Sequence, residues 1–235
     1  MSILLEVEDL SVRLSGQRIL EDVSFQIREG SLIGLIGPNG AGKTSLLETV
    51  AGFIPARGGR VRWRGAPLAP AERKRNIFYL PDGIRPCPDH RAADLLELFR
   101  VAYDHPRSRV DELVDALKLR AALGKRARHL SKGFTKRLLL ALGMLTHAPL
   151  LLFDEPFDGL DLHQVGAVRS LIEGLRQAGR TLVLSIHELA LAERVCETFL
   201  LLAEGRLLAA GDLESLRAKA GAADGGLDDV FLALT

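Results

Sequence analysis

Residues 3–28 alternate with a period of two: Val23, Phe25 and Ile27 take one face, while Ser24, Gln26 and Arg28 take the other. That period predicts strands covered on one side. After a Gly58-Gly59 turn, Val61 and Trp63 alternate likewise with Arg60, Arg62 and Arg64, so a small antiparallel layer is expected. The runs Leu32 to Ile36 and Ile77 to Leu80 are apolar throughout, as strands buried on both faces are. Pro81-Asp82-Gly83 closes the second with a turn signature. From about residue 84 to 147 the period lengthens. Leu95, Leu98, Phe99 and Ala102 share one helical face, Val110, Leu113, Val114 and Leu117 another, and a third helix is predicted over Lys132 to Thr146. Strands and helices then alternate again. Leu150 to Phe153 is a strand, Leu162 to Leu175 lines a helix ended by Gly179, Thr181 to Ile186 is a strand, and Leu189 to Val195 a helix. Phe199 to Ala203 and Arg206 to Ala209 form a hairpin. A polar helix over Asp212 to Ala220, a flexible link over Gly221 to Gly226 and an amphipathic tail over Leu227 to Leu234 complete the pattern.

Composition narrows the setting. At 235 residues, 47% of them hydrophobic and 26% charged, the chain suits one ordinary globular domain with a substantial core. A net charge of +1 offers no general attraction to nucleic acid, so no nucleic-acid partner is expected. Cys87 and Cys196 suggest neither a disulfide framework nor a metal site, which makes a reducing cytosol the default. Met1 to Glu6 lacks the basic start of a signal peptide, and Leu138 to Phe153 is too interrupted to span a membrane. A soluble protein is expected.

The chemistry is concentrated in a few stretches. Gly37-Pro38-Asn39-Gly40-Ala41-Gly42-Lys43-Thr44 has the form G-x-x-x-x-G-K-[ST]. It lies between the buried strand Leu32 to Ile36 and a helix-patterned stretch, Ser45 to Ala51, stopped by Gly52. Strand, glycine-rich loop and helix are the context in which this pattern binds phosphate. The glycines let successive N–H groups turn inward, and the helix N-terminus adds positive potential. Lys43 is then expected to reach the β- and γ-phosphates and Thr44 to bind Mg²⁺, with Ser45 beside them. Downstream, Leu150-Leu151-Leu152-Phe153-Asp154-Glu155 ends a buried strand in two acids, at the sheet edge where open α/β folds bind ligands. Asp154 would hold Mg²⁺ and Glu155 would polarise the attacking water as general base. Taken alone, such an acid also suits a turn cap. Ser131 sits where an N-cap belongs, ahead of a helix whose free N–H groups favour an anion, and Gly133 allows close backbone approach.

Several segments together resemble one family. Asp154-Glu155-Pro156 followed by Asp158-Gly159-Leu160-Asp161 resembles the Walker B and D-loop run of ABC ATPases. Leu130-Ser131-Lys132-Gly133-Phe134-Thr135-Lys136-Arg137 is similar to their LSGGQ signature, and Leu184-Ser185-Ile186-His187-Glu188 to their switch-histidine segment. Leu227-Asp228-Asp229-Val230-Phe231 looks like the tail of many ABC-2-type exporter subunits. In this order and spacing the motifs identify the sequence, by resemblance, as an ABC transporter ATP-binding protein. The resemblance implies an α/β fold: a P-loop NTPase core sheet with an antiparallel β layer and an inserted α-helical subdomain. One ABC ATPase domain would span 1–235, with a core at about 1–83 and 148–220, a helical subdomain at about 84–147 and a tail at 221–235. It also implies hydrolysis of ATP with Mg²⁺ to power a separate transmembrane permease, leaning to export, from the cytoplasmic face of the cell membrane. Two subunits, alike or different, would sandwich two ATP molecules head to tail. Ser131 and Gly133 would then face the partner's nucleotide, and His187 would contact the γ-phosphate. The cleft near Asp82 would receive the permease's coupling helix.

The chain departs from the family pattern at Leu14, Asp82, Lys132 and Phe134. Leu14 stands near the aromatic that commonly stacks on adenine, so base discrimination is expected to be weak. Asp82 replaces the Q-loop glutamine; it is still counted among the nucleotide and Mg²⁺ contacts, and is expected to tune coupling to the permease more than chemistry. Lys132 and Phe134 replace a glycine and a glutamine of the signature. Other readings are a soluble ABC ATPase not coupled to transport, a P-loop kinase or GTPase, and a non-hydrolysing regulatory subunit. The single near-neutral cassette, the signature with His187, and the intact Glu155 weigh against them in turn.

Overall fold

The computed structural model describes residues 2–222 and 224–235; of the expected link Gly221 to Gly226, Ala223 lies outside the described residues. The chain begins with β1 (Ile3–Leu14), β2 (Gln17–Arg28), β3 (Leu32–Ile36) and α1 (Lys43–Ala51). β4 (Gly58–Trp63), β5 (Ala66–Pro67), a 3₁₀ turn over Pro70–Arg75 and β6 (Ile77–Leu80) follow. Next come α2 (Ala92–Ala102), α3 (Arg107–Ala116), α4 (Lys132–Met144), β7 (Leu150–Phe153) and α5 (Leu162–Gln177). The order closes with β8 (Thr181–Ile186), α6 (Leu189–Val195), β9 (Thr198–Ala203), β10 (Arg206–Asp212), α7 (Leu213–Ala220) and α8 (Leu227–Leu234). No described helix is long and apolar enough to cross a membrane.

The strands form two sheets, ordered β2-β1-β4-β5 and β10-β9-β3-β8-β7-β6. The first is antiparallel. In the second β9, β3, β8, β7 and β6 run parallel, with β10 antiparallel at the edge. Its central strands β3, β7 and β8 are buried on both sides, which is why they read as nearly unbroken apolar runs. Leu32 and Ile36 of β3 and Leu151 and Phe153 of β7 pack toward the helices α2 to α6. Ile33 and Leu35, with Leu150 and Leu152, pack toward α1 and the antiparallel layer. Alternation thus persists within the apolar runs, dividing one sheet between two cores. α1 is held at its far end by buried Arg73, whose guanidinium caps the Thr49 and Val50 carbonyls where the helix dipole is negative. Burial lowers the pKa of that guanidinium.

The α/β class with its antiparallel layer matches expectation; two details differ from it, and a third carried no sequence signal. Gly58 and Gly59 belong to β4 and make no turn. Gly59 has φ +87°, and a Cβ there would lie 2.4 Å from Glu8 O, so the glycine serves close approach to β1. The segment Ala66–Arg75 holds β5 and the 3₁₀ turn, which show no periodicity in so short a stretch. In α2 the buried face is Ala92, Leu95 and Leu96, whereas Leu98 and Ala102 are exposed. The helix begins at Ala92, and it packs against both α3 and α4.

Candidate functional site

Three parallel neighbours in the sheet, β3, β8 and β7, end side by side. The loop 37–42 leaves β3, His187 follows β8, and Asp154 and Glu155 follow β7. Gly37 is pressed against the next strand: a Cβ there would sit 2.2 Å from Leu202 O. Gly42, at φ +102°, is the N-cap of α1 and has no side chain to cap it, so the first N–H groups of that helix stay available to an anion. Gly40, also at positive φ, meets nothing within 4 Å, and Pro38, Asn39 and Gly40 are exposed while Ala41 is buried. Lys43 is buried and folds over the loop, donating to Gly37 O at 2.7 Å and Pro38 O at 3.3 Å. An anion at the loop mouth can draw that ammonium from two neutral carbonyls, since both partners of the new bond would then carry charge. Ser45, half-buried, continues the first turn of α1.

Asp154 is buried, and its two oxygens are divided between neighbours. Thr44 Oγ1 donates to Oδ2 at 2.7 Å, and Ser185 Oγ donates to Oδ1. Ser185 Oγ in turn accepts the Glu155 N–H at 2.8 Å, so one hydroxyl from β8 aligns both acids. Glu48, one turn beyond Thr44, has its carboxyl pKa raised by burial and then by the charge of Asp154. A hydroxyl and a carboxylate together with surplus negative potential are an oxygen donor set that fits Mg²⁺. Glu155 takes φ 47°, uncommon for a residue with a side chain. Its Oε2 lies 2.7 Å from His187 Nδ1 and its Oε1 3.9 Å from Lys43 Nζ. With Glu155 ionised, that contact places the imidazole proton on Nδ1. Lys43, Thr44, Asp154, Glu155 and His187 therefore converge.

Other expected residues stand elsewhere. Asp82 Oδ1 accepts from Lys136 Nζ at 2.6 Å, leaving Oδ2 for any other contact. Asp82, Lys136, Ile84, Leu139 and Asp154 help line a cleft of about 520 Å³ beside β6 and α4. Ser131 caps α4 by accepting Phe134 N–H at 3.3 Å, and Gly133 lies near the Gly159 carbonyl. Among the described residues no hydrogen bond joins Ser131 or Gly133 to Lys43, Thr44 or Asp154. Lys132 instead pairs with Asp158 at 2.8 Å, which raises the lysine's pKa and lowers the aspartate's. Phe134 lies under the Arg137 guanidinium at 4.4 Å, and Arg137 bonds Leu117 O at 2.7 Å. The aromatic at this position thus helps join α4 to the end of α3. Leu14 ends β1, 38% exposed. Ser185 and Lys136 lie within the sequence motifs, which by themselves assign them no role. A polar residue inside an apolar strand and a lysine on an apolar helix face were the available signals.

Comparison with known proteins agrees with this geometry. The family model described as ABC transporter matches residues 20–158. The chain belongs to the ABC transporter family. The ATP-binding protein EcsA of Bacillus subtilis (strain 168), described as ABC-type, is 30% identical over 99% of this chain and 96% of its own length. A solved structure of the ATP-binding subunit of an ABC transporter has a TM-score of 0.89 and 32% identity, covering 98% of this chain and 99% of that one. The cobalamin import ATP-binding protein BtuD of Halobacterium salinarum (strain ATCC 29341 / DSM 671 / R1) is 33% identical over 88% of this chain and 54% of that protein. As a member, the chain is the ATP-binding subunit of a transporter and an ATPase with the P-loop NTPase fold. Direction differs among relatives, since BtuD is named for import.

Proposed function

We propose that this subunit hydrolyses Mg²⁺-ATP to drive a separate transmembrane permease, in the direction of export, from the cytoplasmic face of the membrane. The observation that supports it best is the convergence of Lys43, Thr44, Asp154, Glu155 and His187 at the ends of adjacent strands. The amides of the loop 37–42 and Lys43 bind the phosphates, and Thr44 and Asp154 hold the Mg²⁺. That ion, when bound, neutralises charge on the β- and γ-phosphates. Glu155 accepts a proton from the attacking water, and His187 keeps the carboxylate turned toward it. Two subunits pair so that Ser131 and Gly133 of one approach the nucleotide of the other. Residues 84–147 form a helical subdomain on the core of 1–83 and 148–220. The cleft containing Asp82 receives the permease. Export rests on the likeness of the tail 227–231 to ABC-2 systems.

The test is reconstitution in vesicles with its permease partner. Phosphate release that needs both Mg²⁺ and ATP, rises with the permease present and accompanies movement of solute away from the ATP side is the expected result. Solute moving toward the ATP side would replace export by import. Release indifferent to the permease would leave a soluble ATPase.

A further inference from the structure

Lys136 lies on the buried side of α4, and its ammonium donates to Asp82 Oδ1 at 2.6 Å and Glu155 O at 2.8 Å. A buried ammonium requires a counter-charge, and Asp82 provides it. The Glu155 carbonyl also accepts the Asp158 N–H at 3.2 Å, so both of its lone pairs are engaged. This matters because of the backbone that carries it. Glu155 is left-handed at φ 47° and precedes Pro156, a combination held only where the surroundings over-determine it. Ser185 fixes the amide from the β8 side, and Lys136 fixes the carbonyl from the α4 side. Those two contacts aim the carboxylate at His187 and Lys43.

We infer that Lys136, charge-balanced by Asp82, is a positioning residue that clamps the Glu155 carbonyl and so sets the direction of the Glu155 carboxylate. The inference rests on the reading of Glu155 as the base. Asp82 then acts on the chemistry through Lys136, and both line the same cleft, so a change at the cleft wall reaches Glu155 through one side chain.

The test uses the full chain and the variants Lys136→Met, Lys136→Arg, Asp82→Asn and Lys136→Met/Asp82→Asn, with Glu155→Gln in parallel. Lys136→Met is expected to lower kcat about tenfold with KM for ATP within about twofold, the pattern of a lost contact that acts on the chemical step. Lys136→Arg should restore most of the rate. Asp82→Asn should cost about threefold, and the double variant should be no slower than Lys136→Met, since the residues act as one unit. Without nucleotide, hydrogen exchange in the segment 154–160 should quicken about tenfold in Lys136→Met. Unchanged exchange there, or rate losses that multiply in the double variant, would overturn the clamp. If Lys136→Met does not fold, Asp82→Asn, at a half-exposed side chain, reads the same exchange. A Glu155→Gln protein with unaltered kcat would overturn the base assignment instead, while exchange would still report on the clamp.

Discussion

Two glycine-bearing helix starts, at 37–44 and 130–137, look alike in sequence and are built differently. The first is pressed into the fold: Gly37 faces a backbone carbonyl, Gly42 caps α1 without a side chain, and Lys43 is only 7% exposed. The second lies nearer the surface: Ser131 caps its own helix, a Cβ on Gly133 would meet only the Gly159 carbonyl, at 3.9 Å, and the Lys132 side chain is 74% exposed. One loop is shaped by its own chain and leaves the first amides of α1 open to an anion. The other has its N-terminal amides partly satisfied already and is only partly covered by the described residues. The contrast suits a site whose second half is supplied by another subunit.

Glu155→Gln tests the complete half most severely. Phosphate release should fall by about 10²–10⁴-fold with ATP binding retained, measured by single-turnover hydrolysis and fluorescent nucleotide binding. Gly37→Ala comes next. Its Cβ has a backbone oxygen in the way, so thermal or urea unfolding should show a loss of about 1–3 kcal/mol, with nucleotide affinity falling too. In the exposed half the signs separate. Ser131→Ala should cost about 1 kcal/mol through the lost cap. Gly133→Ala should raise stability by up to about 1 kcal/mol, as alanine does inside a helix, while still lowering ATPase activity at protein concentrations where subunits pair. A Gly133→Ala protein that is both more stable and fully active would end the argument that this helix meets a nucleotide. The smallest effect concerns the base: with Leu14 in place of an aromatic ring, ATP and GTP affinities should differ by less than about tenfold, since ring stacking contributes about 1–3 kcal/mol. Competition binding reads it directly.

Much of this could be seen along the chain because the motifs are local. A phosphate loop between a strand and a helix, and an acid pair ending a buried strand, involve contiguous residues, so spacing alone places Lys43, Thr44, Asp154 and Glu155. The buried strands were legible for a similar reason: burial on both faces writes an uninterrupted apolar run. α2 was harder. Leu98 has the spacing of a core residue, but the placement of the neighbouring helices α3 and α4 decides which side of the helix is covered. The Gly58-Gly59 pair reads as a turn until Glu8 is found behind it.

The order of the motifs in the amino-acid sequence was thus enough to determine the family and the α/β class, and to nominate the residues proposed to touch a triphosphate. Tertiary structure alone decided how those residues are held. Ser185 joins Asp154 to Glu155 across two strands, and Lys136 reaches from α4 to Asp82 and the Glu155 carbonyl. Such contacts join residues 19 to 54 positions apart. Hydrogen bonds depend on distance in space, and no local pattern along a chain encodes which distant side chain will lie within 3 Å of an acid.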